Sequence, residues 1–183
     1  ARYLHHILNE IESRGLPGEY ALLPVVESAF DPFAYSFGRA AGLWQFIPST
    51  GKYFGLKQGW WHDQRRDVLA STDAALNYLD RLANRFDGDH LLALASYNSG
   101  GGTVSKAMRK NRNRNKATDF WSLRLPAETQ AYVPKLIALA KIFDNPKAYG
   151  ITLPPLEDKP YFEVVETKSQ LDLAQAAELA GVD

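Results

Sequence analysis

Apolar residues recur at helical spacing through most of this chain, and glycine, proline or asparagine–proline separates one stripe from the next. Tyr3, Leu4, Ile7, Leu8 and Ile11 make the first stripe, closed by Arg14-Gly15. Pro17 opens a second helix that runs to Ser28 and is closed by Phe30-Asp31-Pro32. Pro24 inside it predicts a kink or a lost backbone bond. Asp31 to Gly42 reads as irregular, Leu43 to Ile47 as a short apolar stretch, and Ser49-Thr50-Gly51 with Gly55 as a turn or a broken short helix. Gly59 to Asp63 is a loop carrying Trp60 and Trp61.

From Arg66 the pattern is plainly helical. Val68, Leu69, Ala75, Leu76, Leu79, Leu82, Ala83 and Phe86 fall on one face, and Asp87-Gly88 ends it. Asp89 caps the next helix, through Leu91, Leu92, Leu94 and Ala95 to Tyr97-Asn98. Ser99 to Gly102 breaks the chain, and Thr103 to about Asn111 is helical again. A long helix begins near Pro126, with Pro134 as a kink or second start, and ends at Asn145-Pro146 and Gly150. The composition shifts after Pro155. Tyr161 to Thr167 alternates like a strand, and Ser169 with Asp172 reads as a capping box for a helix ending at Ala180-Gly181. The expectation is a mainly α domain over residues 1–150. Residues 151–183 form a short strand–helix flank or the start of a following module.

Composition narrows the function only a little. Lys+Arg 21 balance Asp+Glu 21, which argues against a nucleic-acid or membrane-surface protein. The six basic residues from Lys106 to Lys116 read as a solvated helix face. With no cysteine there is neither disulfide nor thiolate metal site. His5 and His6 lie beside the first stripe without further ligands nearby, and read as surface residues. No apolar run is long enough to cross a bilayer. Aromatics at 12% suit a sugar- or base-binding cleft as well as an ordinary core.

One charged residue stands out against this background. Glu27 follows Leu22, Leu23, Val25 and Val26 and precedes Ala29 and Phe30, so a carboxylate sits in a run otherwise fit for a core. Desolvation and the negative end of its helix both push its pKa upward. A carboxyl that keeps its proton near neutrality is what a general acid needs. A capping or paired glutamate at a helix end would have the same sequence, and the stretch alone does not decide between the two.

Four further segments could line one cleft with Glu27. They are Ser36, Gly42-Leu43-Trp44-Gln45, Ser96-Tyr97-Asn98 and the run from Glu128 to Val133. In order and type they resemble the lysozyme-like catalytic domain of soluble-type (family 1) lytic murein transglycosylases. That family carries Glu-Ser, Gly-Leu-Met-Gln, Ala-Tyr-Asn and Glu-Thr-x-x-Tyr-Val in this order, and the likeness covers Pro17 to Gly150. The resemblance implies a goose-type lysozyme (SLT) helical fold with Glu27 as the single catalytic acid/base. It gives Ser28 the orientation of the carboxyl or the substrate, and Ser36 and Gln45 hydrogen bonds to the muramic sugar. Tyr97 would lie against the sugar and direct its hydroxyl at Glu27 or the substrate. Asn98 would hold its helix end, and Tyr132 would reach into the cleft, with Glu128 its structural partner or cap. Trp44 replaces the family's Met and Ser96 its Ala, changes expected to reshape sugar subsites without removing a reacting group.

The implied reaction cleaves the β-1,4 bond between N-acetylmuramic acid and N-acetylglucosamine and leaves 1,6-anhydromuramic ends. It needs no metal or organic cofactor, and its partner is the peptidoglycan glycan strand. The implied setting is the bacterial periplasm, as a monomer, with any outer-membrane anchor in a segment outside this stretch. Two other classes compete. A hydrolytic muramidase would share the shape and use water, for which no second acid in these motifs stands ready. A non-catalytic peptidoglycan-binding module would need only the aromatics and polar groups.

Overall fold

The computed structural model describes residues 2–157, 159–165 and 171–181. Among these residues the helices are α1 (Leu4–Ser13), α2 (Leu23–Ser28), α3 (Pro48–Tyr53), α4 (Val68–Arg85), α5 (His90–Ser99), α6 (Gly101–Arg112), α7 (Ala127–Asp144) and α8 (Leu173–Ala180). The middle of the fold follows from α5. Leu92, Ala93, Leu94, Ala95 and Ser96 are consecutive and all buried, and a helix without a polar face is stable only when surrounded. α4, α6 and α7 pack around it. Asp67 and Asp89 cap α4 and α5 with their carboxylates, accepting from the N–H of Ala70 and from those of Leu91 and Leu92.

Several expectations are corrected. The helix expected from Pro17 is a 3-10 turn, Gly18–Leu22, followed by the six-residue α2. Pro24 lies in the first turn of α2, where its missing N–H has no intrahelical role, so it starts the helix instead of kinking it. Gly101 and Gly102 belong to α6, and the break is confined to Gly100 at φ +84°. α7 runs through Pro134, which leaves the Gln130 carbonyl without its usual donor.

The flank holds no strand over the described part of Tyr161–Thr167. Residues 161–165 are irregular, and 166–167 lie outside the described residues. Ser169 also lies outside them; Asp172 itself caps α8, accepting from the Gln175 N–H. His5 and His6 are half-buried, because the flank folds back and sets Phe162 edge-on to the His6 ring.

The irregular segment after α2 is pinned by a buried cation. Arg65 is 6% exposed, and its Nη1 donates to the carbonyls of Arg39 (2.7 Å) and Phe46 (3.0 Å). Its Nε and Nη2 are held by Asp63, whose carboxyl this fork keeps below its ordinary pKa. Gly42 sits against the same strap at φ +81°, where a Cβ would come within 1.8 Å of the Arg65 carbonyl oxygen. We predict that Gly42→Ala lowers unfolding stability by about 3 kcal/mol or more, through overpacking together with a strained φ. Urea unfolding checks this, and a loss under about 1 kcal/mol would show that the strap yields easily.

Candidate active site

Leu23 and Pro24 are buried and anchor α2, which brings Glu27 to its last turn. The helix ends at once because Ala29 (φ +52°) and Phe30 (φ +64°) both turn left-handed. The Phe30 N–H then reaches the Pro24 carbonyl and the Ala29 N–H that of Val25, a closure usually given to glycine. Glu27 faces a cleft of about 500 Å³, shared with Ser36, Gln45, Tyr78, Tyr97 and Glu128. A larger cavity of about 990 Å³ takes the other side of α2 through Val25, but its walls are mainly aliphatic.

Burial raises the Glu27 pKa to about 7. The hydrogen bond from Tyr132 pulls against that, and the charge of Glu128 adds to it. Tyr132, on α7, is 6% exposed and donates its O–H to Glu27 Oε1 at 2.5 Å. Burial and the Glu27 charge keep the Tyr132 hydroxyl well above its usual pKa, so it stays a donor. One turn earlier on α7, Glu128 accepts from Asn98 Nδ2 at 3.3 Å, while Asn98 Oδ1 accepts from Thr129 Oγ1 at 2.7 Å. Asn98 therefore ties the end of α5 to the start of α7, the arrangement that sets Tyr132 over Glu27.

The remaining expected residues divide into two groups. Gln45 and Ser36 line the cleft. Gln45, itself at φ +49°, spends its amide N–H groups on the carbonyls of Gly42 (2.9 Å) and Ala34 (3.3 Å), which turns its amide oxygen to other partners. Ser36 Oγ accepts from the Ala40 N–H at 3.0 Å. The other two hydroxyls are committed to backbone. Ser28 Oγ bonds the Leu43 and Pro24 carbonyls at 2.9 and 3.1 Å, fastening the loop to α2. Tyr97 lines the cleft but donates its O–H to the Trp44 carbonyl at 2.8 Å.

Trp44 and Ser96 are fully buried, and the Trp44 indole N–H is bonded to Thr72 Oγ1. These two departures from the family pattern fill the core instead of reshaping a sugar subsite. Tyr78 escaped the sequence reading, since it lies outside the apolar stripe of α4 and belongs to none of the four motifs. Only its ring contacts with Phe54 and Tyr97 bring it to the cleft. The basic residues of α6 do not line the cleft. Among the described residues, no group of three His, Asp or Glu could hold a metal ion, and no helix is long and apolar enough to cross a membrane.

A helical fold of this shape, with a half-buried glutamate facing its cleft, defines a lysozyme-like helical domain. Residues 8–120 match the Transglycosylase SLT domain model, and the chain belongs to that family. It is 51% identical over 180 residues to membrane-bound lytic murein transglycosylase D of Escherichia coli K12, covering 98% of this chain and 40% of that protein. It is 32% identical over 116 residues to peptidoglycan transglycosylase gp16 of Escherichia phage T7, covering 63% and 8%. Among solved structures it resembles an inactive mutant of the lytic transglycosylase Slt from Pseudomonas aeruginosa. There the TM-score is 0.59 and the identity 29%, over 78% of this chain and 24% of that one. The 70 kDa soluble lytic transglycosylase of Escherichia coli shares the fold at TM-score 0.59 and 22% identity, over 73% of this chain and 22% of that one. The chain thus spans about 40% of the length of its membrane-bound relative.

The folded pKa of Glu27, about 7, lies above the ordinary 4.5. The stability this neutral carboxyl contributes is complete below about 4.5 and is lost as pH rises through about 7. Relative to wild type, Glu27→Gln should therefore gain on the order of 1–3 kcal/mol between acid and alkaline pH. Paired melting curves across that range check it, and a gap that does not change with pH would contradict the raised pKa. Tyr132→Phe should move the Glu27 pKa further up and Glu128→Gln should move it down. Carbon-13 titration of the glutamate carboxyl reads both shifts.

Proposed function

We propose that this chain is a lytic transglycosylase domain that cleaves the β-1,4 bond between N-acetylmuramic acid and N-acetylglucosamine in peptidoglycan, forming 1,6-anhydromuramic ends. The observation that carries the reading is Glu27 itself, a half-buried carboxyl with a pKa of about 7, held by Tyr132 in a cleft lined by polar and aromatic side chains. Glu27 protonates the glycosidic oxygen, the muramic N-acetyl steadies the oxocarbenium-like carbon, and the Glu27 carboxylate then takes the C6 hydroxyl proton as the ring closes. A pKa near neutrality suits one group that must both give and accept a proton. Gln45 and Ser36 hold the muramic sugar, and Tyr97 forms the wall beside it. Ser28, Asn98 and Tyr132 act by position, fixing the loop, the α5–α7 junction and the Glu27 carboxyl. That the neighbour from Pseudomonas aeruginosa is an inactive mutant with glutamate changed to glutamine supports a glutamate-centred chemistry.

The catalytic unit is residues 1–150, which supply every side chain of the cleft, and residues 151–183 are its flank. The names of the relatives support a periplasmic setting on the murein, with any outer-membrane anchor outside this stretch. The domain is proposed to act as a monomer and to make no membrane contact of its own. Hydrolysis is the second reading, and one observation favours it. Glu128 shares the cleft with Glu27, and a second carboxylate is what a water-activating glycosidase requires. Its carboxylate is engaged by Asn98 and it lies at the start of α7, which fits a structural role better.

Glu27→Gln should leave the fold intact and reduce turnover of purified sacculi by about 10²–10⁴-fold or more, the range for general acid–base catalysis. Retention of most activity would remove Glu27 from the mechanism. The product separates the two readings. An intramolecular hydroxyl can reach an effective molarity of about 10⁵–10⁸ M, against roughly 55 M for water. Digestion in ¹⁸O-water should therefore give termini without label, each one water lighter than a reducing end. Labelled reducing ends as the main product would establish hydrolysis instead.

A further inference from the structure

The cleft around Glu27 does not stop at Tyr78. Tyr78 and Thr50 also line a second cavity of about 840 Å³, between α3 and the C-terminal half of α4, with Tyr53, Arg81 and Arg85 on its walls. Among the described residues, no acidic side chain lines it. The Arg81 guanidinium lies 5.2 Å from the centre of the Tyr53 ring, and Arg85 Nη2 donates to Ser105 Oγ at 3.1 Å. Both cations are thus partly fixed in place, yet among the described residues neither lies within ion-pair distance of a carboxylate. The charge of Arg85 is felt at the Tyr78 hydroxyl, lowering a pKa that burial raises, so the two cavities are also joined electrostatically. The basic face of α6 contributes nothing here; the two arginines belong to α4.

Where a stem peptide is attached, the muramic lactyl carboxyl is an amide, so the glycan backbone itself is uncharged and has no use for two guanidinium groups. Charge on peptidoglycan resides in the stem peptides that hang from the muramic lactyl groups and bear free carboxylates. Guanidinium forks match carboxylates in planar, two-bonded pairs. We propose that the Arg81–Arg85 cavity is a subsite for the carboxylates of a stem peptide on the same strand whose sugars lie over Glu27. The domain then favours peptide-bearing strands over bare glycan. This rests on the peptidoglycan reading above, and adds to it the part of the substrate that the second cavity selects.

Binding tests it without turnover. In the chain carrying Glu27→Gln, calorimetry compares short murein strands bearing tetrapeptide stems with the same strands stripped by an amidase, whose muramic residues each keep only a lactyl carboxylate close to the ring. Peptide-bearing strands should bind about 3- to 10-fold tighter, as two partly exposed charge-assisted contacts allow. The preference should shrink in high salt. It should vanish in Arg81→Gln/Arg85→Gln and survive in part in Arg81→Lys/Arg85→Lys, with melting curves showing that both variants fold. Equal affinity for the two strands, no affinity for the peptide-bearing strand, or a preference that the glutamine pair leaves unchanged would each overturn the subsite. The two proposals fail separately. A chain that prefers peptide-bearing strands through these arginines but never cleaves refutes the enzymatic reading and leaves the subsite standing. A chain that cleaves but shows no such preference refutes the subsite alone.

Discussion

The hydrogen bond from Tyr132 to Glu27 joins residues 105 positions apart, and much of the fold can be understood as what makes that bond possible. A carboxyl removed from water is costly, and it either keeps its proton or finds a donor. Here both happen in part. Burial drives the pKa up, and the phenol restrains it at about 7. Tyr132 reaches Glu27 only because α7 starts where Asn98 and Thr129 fix it to the end of α5. α5 in turn is held in the middle by its run of buried residues from Leu92 to Ser96.

The opposite wall of the cleft is built on a different principle. No regular strand stiffens residues 31–46; among the described residues, extended pairing there is limited to the isolated bridges Tyr35–Ala41 and Ala41–Phe46. Arg65 supplies the rigidity, reaching two carbonyls of this segment from beneath while Asp63 neutralises it. A buried guanidinium is tolerable only when it is paired and its N–H groups are used. That condition makes the loop a defined surface on which Gln45 and Ser36 are presented. Strain accompanies it, with Ala29, Phe30, Arg39 and Gln45 all at positive φ. Such conformations cost roughly 1–3 kcal/mol each and persist only where surrounding packing dictates them.

Helix placement was largely legible in the sequence, since the period of apolar residues and the capping aspartate Asp89 are local signals. The errors lie where local signals are ambiguous. Pro24 reads as a kink until Gly18–Leu22 are known to form a 3-10 turn, which moves the proline into a first turn. The alternation after Tyr161 reads as a strand, but a strand needs a partner, and Phe162 packs against Tyr3 and His6 instead.

The candidate site divides in the same way. Sequence alone singled out Glu27, because a carboxylate inside an apolar run is a local anomaly, and the order of the four motifs gave its company. Only the tertiary structure decided what each companion does. It committed the Ser28 and Tyr97 hydroxyls to backbone carbonyls, sent Trp44 and Ser96 into the core, and brought Tyr78 to the cleft. It also set Glu128 beside Glu27 and made Arg65 a structural cation. The physical reason is that residue type limits which bonds a side chain can form. Which bond it does form depends on the groups that folding brings within about 3 Å of it, and those come from distant parts of the chain.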